Sequence, residues 1–194
     1  ESASCRISDL VQAMKQYTYM DQAQFQEIDV HTGLDSTLKI FGHQTKKGIE
    51  VRRDYDHSLP KILAYAGELN QVWTNLISNA IDAMDGSGVL TISTRRDGPE
   101  AVITVADTGP GIPAEIRDRI FEPFFTSKPA GQGTGLGLEI ARRIVVNRHQ
   151  GQITVESRPG DTRFEIRIPI EQRQDHELYP SEPDQRRETA LQGV

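Results

Sequence analysis

One predicted helix carries side chains that suit a metal-bridged phosphate. The segment Asn75-Leu76-Ile77-Ser78-Asn79-Ala80 lies within a helix predicted from Glu68 to Met84. At about 100° per residue, carboxamides and carboxylates fall on one face of this helix and apolar residues on the other. A carboxamide oxygen can bind Mg²⁺ beside phosphate oxygens without adding negative charge. A helix face that simply meets solvent would show the same pattern, so this segment alone leaves both interpretations open. The polar face comprises Glu68, Gln71, Asn75, Asn79 and Asp82.

The next two segments are predicted loops. Asp107-Thr108-Gly109-Pro110-Gly111-Ile112 directly follows a predicted strand. The Asp107 carboxylate can accept a hydrogen bond from an exocyclic amine such as that of adenine, and the glycines let the backbone approach a flat ring. Many tight turns also contain Asp-x-Gly. In Phe121-Glu122-Pro123-Phe124-Phe125-Thr126-Ser127-Lys128, aromatic residues can pin a loop whose polar end, with Thr126 and Lys128, reaches phosphate. A local hydrophobic cluster is the other interpretation of the phenylalanines.

The fourth segment is rich in glycine. Gly131-Gln132-Gly133-Thr134-Gly135-Leu136-Gly137-Leu138 leads into a helix predicted from Leu136 to Arg148. Repeated glycines let backbone N–H groups converge, and a helix N-terminus favours an anion. The segment lacks the Gly-Lys-Ser/Thr ending of a P-loop and does not open a strand–turn–helix crossover, so neither common phosphate motif is present. A flexible linker would show similar glycines but would not continue into an amphipathic helix.

The elements that position these segments are mixed helices and strands with short connections. This order predicts an α/β sandwich, with a mixed β-sheet and helices packed on one face. An extended connector is predicted at Leu59-Pro60-Lys61-Ile62, because proline disfavours helix before it. The other predicted helices run from Arg6 to Glu27 and from His31 to about Lys47, and the predicted strands from Ile49 to Tyr55, Val89 to Thr94, Ala101 to Ala106, Ile153 to Ser157 and Phe164 to Ile170.

Composition excludes several classes of protein. The chain has 194 residues and a formal net charge of -6, which argues against a general nucleic-acid binder. No run approaches the roughly 20 apolar residues of a membrane span, and the polar start Glu1-Ser2-Ala3-Ser4 is unlike a signal peptide. The single cysteine, Cys5, is typical of a reducing compartment. We therefore expect a cytoplasmic location, with membrane association of the full-length protein left open.

In this order and spacing, the four segments resemble the N, G1, F and G2 boxes of the catalytic domain of two-component sensor histidine kinases. Their wider group shares the Bergerat ATP-binding fold with DNA gyrase, MutL-type proteins and Hsp90-type chaperones. The resemblance covers residues 29–170. It implies that residues 1–28 hold the second helix of a dimerisation hairpin, and composition predicts a disordered polar tail at residues 171–194.

The resemblance also implies roles for single residues. Asn79 is the expected Mg²⁺ ligand, Asp107 binds the adenine amine, Gly111 lies against the ring, and Thr162 supports Asp107. The segment between Phe121 and Gly135 is the expected lid over the phosphates. The ATP-binding residues implied in this way are Asn75, Asn79, Asp82, Asp107, Gly109, Gly111, Ile112, Thr126, Lys128, Gly133, Thr134, Gly135, Leu136, Gly137 and Thr162.

One position favours phosphoryl transfer over hydrolysis. ATP-hydrolysing members of the group carry a general-base glutamate four residues before the metal-binding asparagine, and this sequence has Asn75 there. An amide cannot accept a proton at neutral pH, so attack by water should be slow. The resemblance therefore implies a histidine kinase that uses ATP and Mg²⁺. Its implied partners are its own dimerisation and phosphoacceptor domain, in a homodimer, and a response regulator.

The phosphate-accepting histidine is not evident in the sequence. His31, His43 and His57 suit surface or capping roles, and His149 suits a partly charged helix end. His176 precedes Glu177 but lies in the polar tail. We therefore expect the acceptor to lie outside these residues and the fragment alone not to phosphorylate itself. Two alternatives stay open, a serine kinase of the anti-sigma type and an ATP-binding module without kinase activity.

Overall fold

Within residues 24–45, 48–129 and 133–171, which the computed structural model describes, the chain forms two sheets and a layer of helices. None of the helices in these ranges is both long enough and apolar enough to cross a membrane. The helices are α1 (Val30–Ile40), α2 (Gly42–Thr45), α3 (Ala66–Met84), α4 (Ala114–Arg117) and α5 (Gly137–Arg143), and a π-helical turn (Ile144–Arg148) continues α5. The strands are β1 (Phe25–Ile28), β2 (Ile49–Tyr55), β3 (Ile62–Tyr65), β4 (Gly88–Asp97), β5 (Glu100–Asp107), β6 (Gln152–Arg158) and β7 (Asp161–Pro169).

The larger sheet is mixed and has the strand order β2-β4-β5-β7-β6. Strand β2 runs parallel to β4, and the other neighbours are antiparallel. Helix α3 contributes its apolar stripe to the core beside the sheet, and its Leu69, Val72 and Leu76 are almost inaccessible to solvent. The helices lie on one side of this sheet, which confirms the predicted α/β sandwich.

Strand β7 shows how the sheet separates the core from solvent. Phe164 and Ile166 are buried, as period-two alternation requires of one face. On the other face, Arg167 Nη1 donates to Asp97 Oδ2 at 2.9 Å and to Glu100 Oε2 at 3.0 Å. The outer face of the sheet is therefore polar, and its charged side chains form ion pairs that join the ends of β4, β5 and β7.

The start of the described chain differs from the prediction. Phe25–Ile28 forms β1, which pairs antiparallel with β3, although a helix was expected as far as Glu27. Strand β3 begins at Ile62, the last residue of the predicted extended connector, and residues 59–61 form no helix or strand, as predicted. Such four-residue strands carry almost no periodic signal, and long-range contacts such as that between the Phe25 and Tyr65 rings, 5.0 Å apart, stabilise them. The rest of the predicted first helix, residues 6–23, and the tail at 172–194 lie outside the described residues.

Helix α1 is shorter than predicted. It begins after Asp29, whose Oδ1 accepts from the backbone N–H of His31 at 2.9 Å as an N-cap. The predicted helix from His31 to about Lys47 ends instead at Ile40, and α2 follows as a single turn. Gly42 lies at the break, where glycine weakens helix propagation.

Two polar residues, predicted at a charged helix end and on an exposed helix face, are buried. His149 is fully buried: its Nε2 accepts from Tyr65 N at 3.1 Å, and its Nδ1 donates to Ile144 O at 2.9 Å. Burial lowers the pKa of His149 to about 4, so the ring is neutral and the predicted charged helix end is wrong. Glu68 is also buried and pairs with Arg148 at 3.1 Å, so it does not belong to the exposed polar face of α3.

Candidate nucleotide site

Helix α3 supplies the amides of the candidate site. Asn75 and Asn79 lie one turn apart and are half-buried, whereas Asp82 is exposed. The Asn75 Nδ2 atom is buried and has no hydrogen-bond partner among the described residues. A Cβ placed on Gly137, at the start of α5, would lie 3.5 Å from Asn75 Oδ1. The amide face of α3 therefore meets the beginning of the helix that follows the glycine-rich segment.

Asp107 ends strand β5 and is only 5% exposed. Its Oδ1 accepts from the backbone N–H of Gly109 at 2.9 Å, while Oδ2 accepts no hydrogen bond from the described residues. Burial raises the pKa of Asp107; the Gly109 bond opposes that shift and the charge of Asp161 adds to it. The geometry leaves one carboxylate oxygen committed to the turn and the other available to a ligand.

The loop after Asp107 is fixed against the hairpin of β6 and β7. Gly160 N donates to Gly109 O at 2.8 Å, and Ile112 N donates to Ser157 Oγ at 2.7 Å. Gly111 has a φ of 85°, and a Cβ there would lie 2.7 Å from the carbonyl carbon of Arg158. Glycine is therefore required at position 111 by backbone packing. Its expected contact with a nucleotide ring stays a prediction.

Thr162 lies directly opposite Asp107 in the β5–β7 register and is buried. Its hydroxyl bonds Ser157 Oγ at 2.8 Å, and no hydrogen bond joins it to the Asp107 carboxylate. Any support of Asp107 by Thr162 in this structure therefore acts through strand pairing and the Ser157 hydroxyl.

The predicted lid is described except at residues 130–132. Lys128 Nζ donates to Asp82 Oδ2 at 2.6 Å, which ties the lid to α3. Thr126 Oγ1 accepts from Lys128 N at 3.1 Å and would lie 3.0 Å from a Cβ on Gly133. Gly133 of the glycine-rich segment thus lies beside Thr126 and Lys128 of the lid. Thr134 and Leu136 lie next to this junction, where Leu136 N donates to Thr134 Oγ1 at 3.3 Å.

An aromatic cluster anchors the lid, as the sequence indicated. The Phe121 ring meets the buried Phe164 ring edge-on at 6.4 Å, and the Arg119 guanidinium lies 4.6 Å from the Phe125 ring. Phe124, in contrast, is 70% exposed and has a φ of 65°. Gly135 packs directly on the Phe124 carbonyl group and itself has a φ of 67°, so a side chain there would clash.

Contacts therefore bring all four segments to one end of the domain. Gly109 meets Ala83, with 3.2 Å from an added Cβ to Ala83 Cβ, and the Lys128–Asp82 and Gly137–Asn75 contacts join the lid and α5 to α3. The sequence did not point to Ser157 or to Arg117, although both form hydrogen bonds with Ile112 of this loop. Only their position beside Ile112 in space marks them.

The residues of the site fit a magnesium ion that arrives with phosphate. No group of three or more His, Cys, Asp or Glu side chains able to hold a metal occurs within the described ranges. The Asn79 amide makes no hydrogen bond to the described residues and can offer its oxygen. Mg²⁺ accepts one or two protein ligands when phosphate oxygens and waters complete its octahedron.

The family of the chain follows from its similarity to known proteins. The model of the histidine kinase-, DNA gyrase B- and HSP90-like ATPase family matches residues 65–172, more than half of the chain. The chain belongs to this ATPase family. The predicted resemblance is thereby confirmed, and the sheet and helices described above are the Bergerat-type fold of the family.

The relatives within this ATPase family are sensor histidine kinases. The sensory histidine kinase/phosphatase NtrB of Rhodobacter capsulatus is 36% identical over 178 residues, covering 85% of this chain and 49% of NtrB. The chain thus spans about half the length of this relative. The roles assigned to single residues stay predictions.

Solved structures show the same likeness. The nucleotide-free catalytic domain of histidine kinase ThkA is 32% identical, with a TM-score of 0.71 over 76% of this chain and 97% of that domain. ThkA in complex with the response regulator TrrA is 27% identical, with a TM-score of 0.70 over 85% of this chain and 48% of ThkA. Full-length ShkA in complex with AMPPNP is 30% identical, with a TM-score of 0.68 over 77% of this chain and 32% of ShkA.

Proposed function

We infer that this chain is the ATP-binding catalytic module of a sensor histidine kinase. In this proposal it delivers the γ-phosphoryl group of ATP to a histidine outside the described residues, from which a response regulator receives it. The observation that carries the proposal is the Asp107 carboxylate, buried at a strand end with one oxygen held by Gly109 N and the other available. A buried acceptor of this kind selects a base that presents an amine, as adenine does.

The amide face of α3 and the lid are proposed to hold the triphosphate. Asn79 is the proposed Mg²⁺ ligand; the ion would neutralise phosphate charge and orient the terminal phosphoryl group. The unpartnered Asn75 Nδ2 can donate to a phosphate oxygen, and Lys128 can exchange Asp82 for phosphate. The N-terminal N–H groups of the segment that begins α5 at Gly137 add further donors.

Asn75 also accounts for transfer in place of hydrolysis. Its side chain cannot remove a proton from water, so bound ATP should persist until a nucleophile that needs no deprotonation attacks the γ-phosphorus. A neutral imidazole meets this requirement without a base from the catalytic module. The absence of a basic group at position 75 therefore suits a catalytic module that keeps ATP intact until the phosphoacceptor domain supplies the histidine.

The partners of the chain are also proposed from its relatives. ThkA has been solved with the response regulator TrrA, and NtrB is named a kinase and phosphatase. We propose a homodimeric full-length kinase in which the phosphoacceptor domain adjoins this module, in the cytoplasm.

Label transfer from γ-labelled ATP tests the proposal. The full-length protein with Mg²⁺ should take up label that is lost in acid and retained in alkali, as phosphohistidine is. The isolated chain should bind Mg-ATP without becoming labelled. Label stable in acid but lost in alkali would indicate serine phosphorylation, and a failure to bind Mg-ATP would refute the nucleotide site itself.

A further inference from the structure

The loop from Gly109 to Ile112 is held by an unusually complete set of contacts. The backbone N–H of Ile112 donates to the Ser157 hydroxyl. The backbone carbonyl of Ile112 accepts from Arg117, which also donates to the Ser157 carbonyl. Gly109 O accepts from Gly160 N at 2.8 Å on the other side of the loop. The loop that follows the Asp107 carboxylate is thus fixed at both ends to the β6–β7 hairpin.

Arg117 lies at the end of the single-turn helix α4 and is half-buried. Its Nη2 donates to Ile112 O at 3.1 Å and to Ser157 O at 2.7 Å, so one guanidinium nitrogen bridges the loop and strand β6. The Nε of Arg117 is buried and has no hydrogen-bond partner among the described residues. A guanidinium is costly to desolvate, so its two hydrogen bonds beneath the loop must offset that cost, and they hold the loop against strand β6.

Ser157 connects this bridge to the floor of the site. Its Oγ accepts from Ile112 N at 2.7 Å and bonds Thr162 Oγ1 at 2.8 Å. Thr162 in turn is the strand partner of Asp107. A continuous series of hydrogen bonds and strand pairs therefore runs from Arg117 to the backbone of Asp107.

We propose that Arg117 and Ser157 are positioning residues that set the alignment between Asp107 and the amine of a bound adenine. The proposal rests on the nucleotide site proposed above and adds a role for two residues outside its predicted set. Neither residue has to touch the base. They fix the loop that forms one wall beside the carboxylate, and a hydrogen bond weakens steeply when its angle or length departs from the optimum.

The preference of the chain for ATP over ITP can separate a positioning role of Arg117 and Ser157 from a role in stability alone. ATP presents an amine at the position where ITP presents a carbonyl oxygen, which meets the Asp107 carboxylate unfavourably. A well-aligned carboxylate should therefore favour ATP strongly over ITP. A displaced loop should weaken ATP binding and leave ITP binding almost unchanged, so the ratio of the two dissociation constants should fall.

The test measures dissociation constants of Mg-ATP and Mg-ITP by titration calorimetry, together with thermal unfolding. Arg117→Met and Ser157→Ala should each weaken ATP binding about tenfold and lower the ATP preference. Arg117→Lys and Ser157→Thr should restore most of it, because they keep a cationic N–H donor at position 117 and a hydroxyl that can accept from Ile112 N at position 157. Arg52→Met is the control: it removes the same charge from an exposed side chain on β2 that pairs with Glu50, and it should leave both constants unchanged.

The outcomes are distinct. If the wild-type chain prefers ATP and both Arg117→Met and Ser157→Ala keep that preference while folded, the positioning role is refuted and the nucleotide site stands. An equal loss of ATP and ITP affinity would also refute it, since that result indicates general destabilisation. If the wild-type chain binds no Mg-ATP, the proposed function fails first and this inference fails with it. Should Ser157→Ala not fold, Arg117→Met and Arg117→Lys supply the same comparison.

Discussion

Replacing Asp107 by Asn tests the adenine assignment with little change in shape. Asn Oδ1 can accept from Gly109 N as Asp107 Oδ1 does at 2.9 Å, so the turn should persist. The asparagine Nδ2 would then occupy the place of the available carboxylate oxygen. A donor would face the amine of adenine, which is itself a donor.

The size of the effect follows from two losses. A hydrogen bond to a charged group contributes about 1.5–3 kcal/mol, and leaving a buried donor unsatisfied costs about 1–3 kcal/mol more. Together they predict a loss of at least about 2.5 kcal/mol in the free energy of ATP binding, or roughly seventyfold in the dissociation constant. The fold should not weaken, because burial raises the pKa of Asp107 and a neutral side chain avoids desolvating a charge.

Titration calorimetry with Mg-ATP and Mg-ITP, with thermal unfolding of the free chain, gives the required measurements. Asp107→Asn should lose ATP binding, keep its unfolding temperature, and gain relative preference for ITP, whose carbonyl can accept from the new amide. Asp97→Asn makes the same chemical change at an exposed position paired with Arg167 and should bind ATP normally. Wild-type ATP affinity in folded Asp107→Asn would show that the purine is recognised elsewhere.

Three further predictions follow from the burial and backbone of single residues. The pKa of His149 is lowered to about 4 in the folded chain, so the unfolded chain binds the extra proton first as pH falls. The contribution of neutral His149 to the free energy of unfolding is therefore complete above the ordinary pKa of 6.5. It is lost between pH 6.5 and 4, by about 3 kcal/mol at most. Urea unfolding measured across this pH range should show that the free energy of unfolding falls less steeply with decreasing pH for His149→Gln than for the wild type. An equal dependence on pH would refute the buried neutral ring. Gly111→Ala should destabilise the fold by more than about 2 kcal/mol, measured against Gly160→Ala, which has a similar φ of 81° but open space at its Cβ; equal costs would mean that backbone contact does not matter. Asn75→Glu should raise phosphate release from ATP above the wild-type rate, since it supplies a general base, and an unchanged rate in a variant that still binds ATP would contradict the role given to position 75.

Local pattern was informative where a side chain acts through its own element. The apolar stripe of α3 predicted which residues pack into the core, and buried Leu76 and Ile77 agree with it. Asp107 is the last residue of β5, where the run of β-branched residues ends. The turn at Gly109 is likewise local, since the carboxylate bonds the N–H two residues on.

Long-range partners decided what local pattern could not. Glu68 looked like part of the polar face of α3, yet it is buried and pairs with Arg148, 80 residues further on. His149 looked like a charged helix end, and its burial against Tyr65 makes it neutral. A periodic pattern describes one helix face and contains no information on what covers that face.

The sequence alone predicted the class of sheet and helix packing, because local pattern indicates where helices and strands form, and its resemblance to histidine kinases implied that the four segments form one site. Only the tertiary structure decided that β1 pairs with β3, and that Arg117 and Ser157 fix the loop beside Asp107. The physical reason is that hydrogen bonds and burial between distant segments depend on how the chain closes on itself. The local spacing of residues does not show which distant segments come into contact.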